Sequence, residues 1–284
     1  MRGASEAWSE LERAGGRSVR HPWVGTLARA GYVAKGAVYA VIGVLALRLA
    51  LGEGGRTTDT KGALATVAQA PLGGALVAAL ALGLVGMALW FEVQAFADPD
   101  GERRQGAWAI LSRVGQGIAG LGYASLALAA VRLAFGEGAG RGGDAAARSW
   151  TARVLELPAG RALVFAGAAI VIFLGARQIW NAVGGKFLKH VELTSAGRWV
   201  RRWAPRLGAI GFVTQGLVFV LVGLFFGQAA FERDPREATG LDGALETLAR
   251  QPFGQVLLGL AALGLLAYAA FAVVEGRYRR IRGG

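Results

Sequence analysis

The sequence predicts an all-α, polytopic integral membrane protein with six transmembrane helices, arranged as three tandem helical hairpins. Three observations carry this. Six apolar runs each reach spanning length, the composition is 54% hydrophobic and only 18% charged, and a pattern of Gly, aromatic and Pro residues recurs three times. A soluble domain carries roughly 25% charged residues. Gly is abundant, at 45 of 284, but there are only 7 Pro and no Gly-X-Y period, which excludes a collagen-like chain and a disordered one. A helix needs about 20 apolar residues to cross a hydrocarbon core. A transmembrane strand would alternate apolar and polar residues over about 10 positions, and the run Leu76–Phe91 (LVAALALGLVGMALWF) does not.

In chain order, residues 1–26 form an N-terminal segment without an apolar signal-peptide core, so no cleaved leader is expected. Repeat one, 27–97, holds spans near Leu27–Leu51 and Leu72–Ala97. Repeat two, 111–184, holds Leu111–Phe135 and Ala159–Gly184. A basic amphipathic linker, 185–207, follows. Repeat three, 208–276, holds Gly208–Phe231 and Phe253–Glu275, and 277–284 is a basic tail. The repeats align on a Gly with an aromatic three residues later: Gly36 and Tyr39, Gly120 and Tyr123, Gly216 and Phe219. Each has an earlier Gly (Gly31, Gly115, Gly211) and a later Pro-X-Gly (Pro71–Gly73, Pro158–Gly160, Pro252–Gly254). Such self-similarity marks one supersecondary unit used three times. Two crossings per unit return the chain to the same side, so pseudo-threefold packing about the membrane normal is the natural arrangement, with a linear one as the alternative. Before each Pro lies a short apolar-periodic stretch, GALATVAQ, WTARVLEL or GALETLAR, expected to be a short interfacial helix. Pro is expected in the first turn of the spanning helix that follows.

Charge sets the expected orientation. The formal charge of +12 could suit nucleic acid, but the basic residues lie between apolar runs, which points to anionic lipid headgroups and to no nucleic-acid partner. The termini, loops 98–110 and 185–207 and Arg113 together carry 17 Lys and Arg. The opposite loops carry 8: Arg56, Lys61, Arg141, Arg148, Arg153, Arg233, Arg236 and Arg250. By the positive-inside rule both termini are expected in the cytoplasm and the protein in a bacterial inner membrane. The segment GRWVRRW, with Trp199 and Trp203 among Arg198, Arg201 and Arg202, reads as an interfacial anchor.

The elements RAGYVAKGAVYAVIG and GALATVAQAPLG, followed by a second apolar helix, resemble the bacterial family called domain of unknown function 1206. The resemblance runs from about Leu27 to Gly276. It implies a six-helix membrane protein with three copies of the repeat, and it supplies no reaction and no catalytic residue. Repeat two departs most, with Ala119 where repeat one has Lys35 and Ser149 where repeats one and three have Gly62 and Gly243. Repeat three has Gln215 at the Lys35 position.

Signatures of catalysis are missing, so no enzyme and no cofactor is expected. Cys is absent, which excludes thiol catalysis and Cys-ligated metals. The two His, His21 and His190, lie in no HExxH arrangement, and neither a GxSxG elbow nor a Walker A loop is present. Polar residues inside the spans are the candidates, because a charge in hydrocarbon is costly. Lys35 lies deepest. Glu92 is placed to pair with it from the same half of the membrane, and Arg177 lies near the inner end of the fourth span. Equivalent positions give two possible polar rings: Gln94, Asn181 and Glu275 at the inner end, and Arg48, Arg132 and Gln228 at the outer end. Each ring either lines the mouth of a path or marks where the helices leave the membrane. Small-residue stripes (Gly36, Ala40, Gly43; Gly120, Ala124, Ala127; Ala79, Gly83, Gly86) predict close helix packing. The functional expectation is a transporter or channel for a small solute, with an anion favoured by the basic residues. A membrane scaffold that binds a partner or lipid is the alternative. The sequence names neither solute nor protein partner.

Overall fold

The structure is a computed structural model and describes residues 22–54, 57–97, 107–140 and 142–279. The N-terminal segment 1–21, the basic residues of loop 98–106, Arg56, Arg141 and residues 280–284 lie outside the described residues.

Nine α-helices are present among the described residues: α1 (Pro22–Ala50), α2 (Thr60–Ala68), α3 (Gly73–Ala97), α4 (Ala107–Ala134), α5 (Gly143–Leu155), α6 (Gly160–Val183), α7 (Arg198–Glu232), α8 (Leu241–Arg250) and α9 (Gly254–Tyr278). Six are long and apolar enough to span: α1, α3, α4, α6, α7 and α9. The three short ones, α2, α5 and α8, occupy the stretches before each Pro-X-Gly. The 3₁₀ turns are Lys186–His190 and Pro235–Glu237.

The Pro-X-Gly motif turns each short helix into the next span. In each copy the Gly N–H donates at 2.8 Å to the carbonyl three residues back, on Ala70, Leu157 or Gln251. The middle residue is left-handed: Leu72 at φ 61°, Ala159 at 63° and Phe253 at 61°. Such a conformation costs a non-Gly residue about 1–2 kcal/mol. The Gly is there for space, since a Cβ on Gly73, Gly160 or Gly254 would lie 2.0–2.2 Å from a carbonyl oxygen at the end of the short helix. Pro thus occupies the turn, and each span begins at the Gly rather than at the Pro. Within the linker, Arg198 already starts α7, so the basic Trp-containing segment is the first part of a 35-residue helix running through Pro205. A Pro inside a helix removes one backbone hydrogen bond. Here it falls among exposed residues, Arg201, Arg202, Trp203 and Arg206, outside the apolar stretch.

The second span of each repeat packs on the first span of the next: α3 on α4, α6 on α7, and α9 on α1. Within repeats, α1 packs on α3 and α7 on α9, but α4 and α6 share no packed interface among the described residues. Repeat two is a splayed hairpin, and the six spans form an open arc in the order α4, α3, α1, α9, α7, α6. Burial follows that order: half of the α9 span is buried, against 22% of α4 and 17% of α6 at the ends. The contacts use small residues, Gly36 and Gly83 of the predicted stripes and Gly175 outside them. A Cβ on Gly83 would meet Ala34 Cβ at 2.5 Å, one on Gly36 would meet Ala269 O at 2.9 Å, and one on Gly175 would meet Gly216 O at 2.6 Å. Backbones therefore approach closely, the geometry that small residues allow.

The two faces of the bundle are closed differently. On the side of the termini, Val191 bridges to Arg279, and Glu192 N–H donates to Tyr278 O at 2.8 Å. On the other side the N-terminal ends of α2, α5 and α8 converge. Asp59 caps α2 through Gly62 N–H at 2.7 Å and also accepts from Gly143 N–H at the start of α5. Asp144 in α5 accepts from Gly240 N–H at the start of α8 at 2.8 Å. Asp242 in α8 hydrogen-bonds to Thr57, just before α2. Asp59 and Asp144 thus each accept from a backbone N–H at the start of the next repeat's short helix, where a carboxylate satisfies orphan N–H groups, while Asp242 reaches the Thr57 side chain ahead of α2. Burial, then the Asp144, Asp59 and Glu246 charges, push the Asp242 carboxyl above its ordinary value despite the Thr57 bond.

Candidate functional site

Lys35 lies seven residues into the Ala28–Ala50 span, about 10 Å from its end at 1.5 Å per residue. Helix α1 has packed neighbours on both sides, so Lys35 faces the interior. Its Nζ sits 4.9 Å from the centre of the Tyr268 ring of α9, and the two side chains are hydrogen-bonded. Tyr268, 2% exposed, meets Tyr39 edge-on at 4.8 Å. Tyr39 Oη accepts from Gln215 Nε2 at 2.8 Å. Gln215 Oε1 accepts in turn from Gln178 Nε2 at 2.8 Å, and Gln178 Nε2 also donates to Phe212 O at 3.3 Å. The network joins α1, α7 and α6, one helix from each repeat.

A cavity of about 100 Å³ opens beside this network, lined by Lys35, Val38 and Tyr39 of α1, Thr60 and Leu64 of α2, Leu84 of α3, and Tyr123 and Leu126 of α4. Tyr123 is held by stacking on Phe91 of α3, with centroids 5.4 Å apart. Tyr39 and Tyr123 hold the same repeat position, and both reach the cavity. The third copy, Phe219, is exposed. Lys35 and Gln215 likewise share a repeat position, and both join the network.

The expected Lys35–Glu92 ion pair is not formed. No ion pair among the described residues includes Lys35. Glu92 instead lies against α4, where a Cβ on Gly120 would meet its Oε1 at 2.4 Å. The aromatic faces of α9 take the ammonium because they offer a cation a negative quadrupole without a second desolvated charge. Arg177 is exposed on α6 and does not reach the cavity; its neighbour Gln178 points inward.

Neither set of ring residues gathers around this cavity. At the end nearer the termini Glu275 is locked to Arg279, whose guanidinium lies over Tyr32 at 4.8 Å and Trp90 at 5.6 Å. Gln94 is buried on α3 and Asn181 is half-buried on α6. At the opposite end Arg48 is exposed and pairs with Glu53 at 3.2 Å, Gln228 donates to Glu232 at 3.0 Å, and Arg132 is exposed. The outer three lie at helix ends, the arrangement of side chains that mark the limit of a span.

Chemically, the cavity presents an ammonium in salt-bridge contact with no described carboxylate, its nearest acidic influence being the charge of Glu275, and phenols that retain O–H donors. Tyr39, for example, accepts from Gln215, which leaves its own proton to donate. Donors outnumber acceptors, which suits an anion. Among the described residues no group of three His, Asp or Glu is placed to hold a metal. Sequence reasoning missed Tyr268 and Gln178. Gln178 carried a signal, a polar residue in an apolar run, whereas Tyr268 carried none, being one aromatic in a helix of apolar residues.

A family model described as Domain of Unknown Function (DUF1206) matches the chain three times, at residues 30–98, 114–185 and 210–279. The chain is also similar to the uncharacterized protein YxxB of Bacillus subtilis (strain 168), with 32% identity over 263 residues, covering 92% of this chain and 93% of that protein. No solved structure matches it.

Proposed function

The chain belongs to the DUF1206 family, a multi-pass membrane family that brings no reaction with it, and from the cavity we propose that the protein binds a small anionic group at Lys35 in the course of moving a solute across the membrane. The observation that supports this is Lys35 itself, a cation about 10 Å inside a span, in direct salt-bridge contact with no described carboxylate, beside a cavity and three tyrosines. Ionisable residues in membrane interiors are uncommon and tend to mark sites of function. We further read both termini as cytoplasmic, in a bacterial inner membrane with basic loops against anionic headgroups, on the 17-to-8 bias in Lys and Arg.

The experiment is flux. Proteoliposomes are assayed with a panel of small anions and matched cations, for wild type and Lys35→Gln. Anion flux that falls in the variant while its melting temperature holds supports the reading. Folded protein with no anion flux moves the assignment to the second reading, a non-catalytic scaffold, which the tight Gly83–Ala34 and Gly175–Gly216 backbone contacts favour.

A further inference from the structure

The Lys35 cavity is walled by α1, α2, α3 and α4 and is covered at both ends. Toward the termini, Tyr32 and Trp90 are 6% and 1% exposed and lie under the Glu275–Arg279 pair. On the other side α2 roofs the cavity with Thr60 and the fully buried Leu64, and Asp59 ties α2 to α5. Lys35 and Tyr39 nonetheless keep part of their surface accessible. The side that no packed helix pair closes is the seam between α4 and α6.

The walls of that seam suit a hydrocarbon chain. On α4, the edge beside Leu126 carries Gly115 and Gly122. On α6, the edge beside Gln178 carries Gly167 and Leu174. A Cβ at any of these three glycines would meet nothing within 4 Å, and Leu174 is 45% exposed. Gly122 lies nine residues from Arg113 and Leu174 nine from Val183, the termini-side ends of their spans. Both therefore sit about 13 Å in, close to the depth of Lys35. A cavity of about 100 Å³ holds a few waters or one headgroup and no acyl chain, so a chain attached to a bound anion has to lie in the seam.

We infer that the ligand is a single-chain anionic amphiphile, a long-chain carboxylate, that enters sideways from the bilayer through the α4–α6 seam, sets its carboxylate against Lys35 and lays its chain between the two helices. This rests on the anion reading of the Lys35 cavity and adds the route and the chain. The cationic site supplies charge complementarity for the head, and the glycine-lined seam supplies a track for the tail.

The test uses the full chain in nanodiscs and equilibrium binding of radiolabelled oleate and butyrate. The chain has no native Cys, so Gly122→Cys with Leu174→Cys places a unique pair across the seam, to be bridged by a bifunctional maleimide. Oleate should bind more tightly than butyrate. Lys35→Gln should weaken oleate about 10- to 100-fold, the worth of a hydrogen-bonded charge, while Lys35→Arg retains binding. Bridging should weaken oleate and leave butyrate unchanged. Bridged protein that binds oleate like the unbridged pair, or butyrate that matches oleate, overturns lateral capture; if Lys35→Gln still weakens both ligands, the anion reading survives. Oleate binding indifferent to Lys35→Gln in folded protein overturns both.

Discussion

Gly254→Ala tests the turn on which the architecture is built. Gly254 opens α9, and its Cβ would sit 2.0 Å from Ala249 O, 2.6 Å from the carbon of the same carbonyl and 2.9 Å from Leu248 O. Ordinary contact begins at 3.4 Å, so that carbonyl has to retreat by more than 1 Å. It belongs to the last turn of α8, held between Pro252 and the buried Leu245, so no side-chain rotamer can absorb the movement. Overpacking costs about 1–3 kcal/mol when side chains can adjust, and a backbone clash belongs at the top of that range. At about 2–4 °C per kcal/mol for a chain of this size, the variant should melt roughly 6–12 °C lower in detergent. Gly73→Ala and Gly160→Ala should behave alike, with clashes at 2.2 and 2.0 Å. Gly115→Ala and Gly122→Ala, where a Cβ meets nothing, should be neutral or stabilise by up to about 1 kcal/mol, because Ala is the better helix former. Equal melting of Gly254→Ala and wild type would refute the steric account of the motif.

Gly83→Leu should destabilise the α1–α3 contact by about 1–3 kcal/mol, since its Cβ alone would reach Ala34 Cβ at 2.5 Å; detergent melting measures it. Glu275→Gln should lower the melting temperature by removing the buried carboxylate that pairs with Arg279, and Glu275→Gln with Arg279→Met should recover part of the loss in the same assay. Asp242→Asn should raise the melting temperature at pH 7. The folded-state pKa of Asp242 is raised, so its ionisation opposes folding above that value. The advantage of Asn should shrink as pH falls through the raised pKa and vanish below the ordinary one, which melting from pH 7 down to about pH 3 reads out.

How much was legible in the sequence depended on whether a residue repeats. The spans, the three short helices and the turn motif all recur, and periodicity plus length placed most of their ends within a few residues; the exceptions are α7, which starts ten residues before Gly208, and α5, which starts seven before Trp150. Lys35 stood out because a charge in an apolar run is conspicuous on its own. Its partner was not legible. Glu92 and Lys35 share a half of the membrane, but the face each presents depends on which helices are neighbours, and α9 supplies Tyr268 from a segment more than 200 residues downstream. The splay of repeat two was invisible for the same reason. Gly115, a marker of the repeat like Gly31 and Gly211, faces open space, as does Gly122, whereas Gly31 and Gly211 are closely packed. The aspartate at each short helix was hidden by register: Asp59 precedes α2, whereas Asp144 and Asp242 lie inside α5 and α8.

Whether Lys35 is a cation held ready for an anion or half of an internal ion pair is decided by calorimetric titration of a small carboxylate into purified wild type, Lys35→Gln and Glu92→Gln. The account predicts binding by wild type and by Glu92→Gln, whose carboxylate lies on α4, and loss of binding in Lys35→Gln. Binding retained by Lys35→Gln, or created only when Glu92 is neutralised, would contradict it.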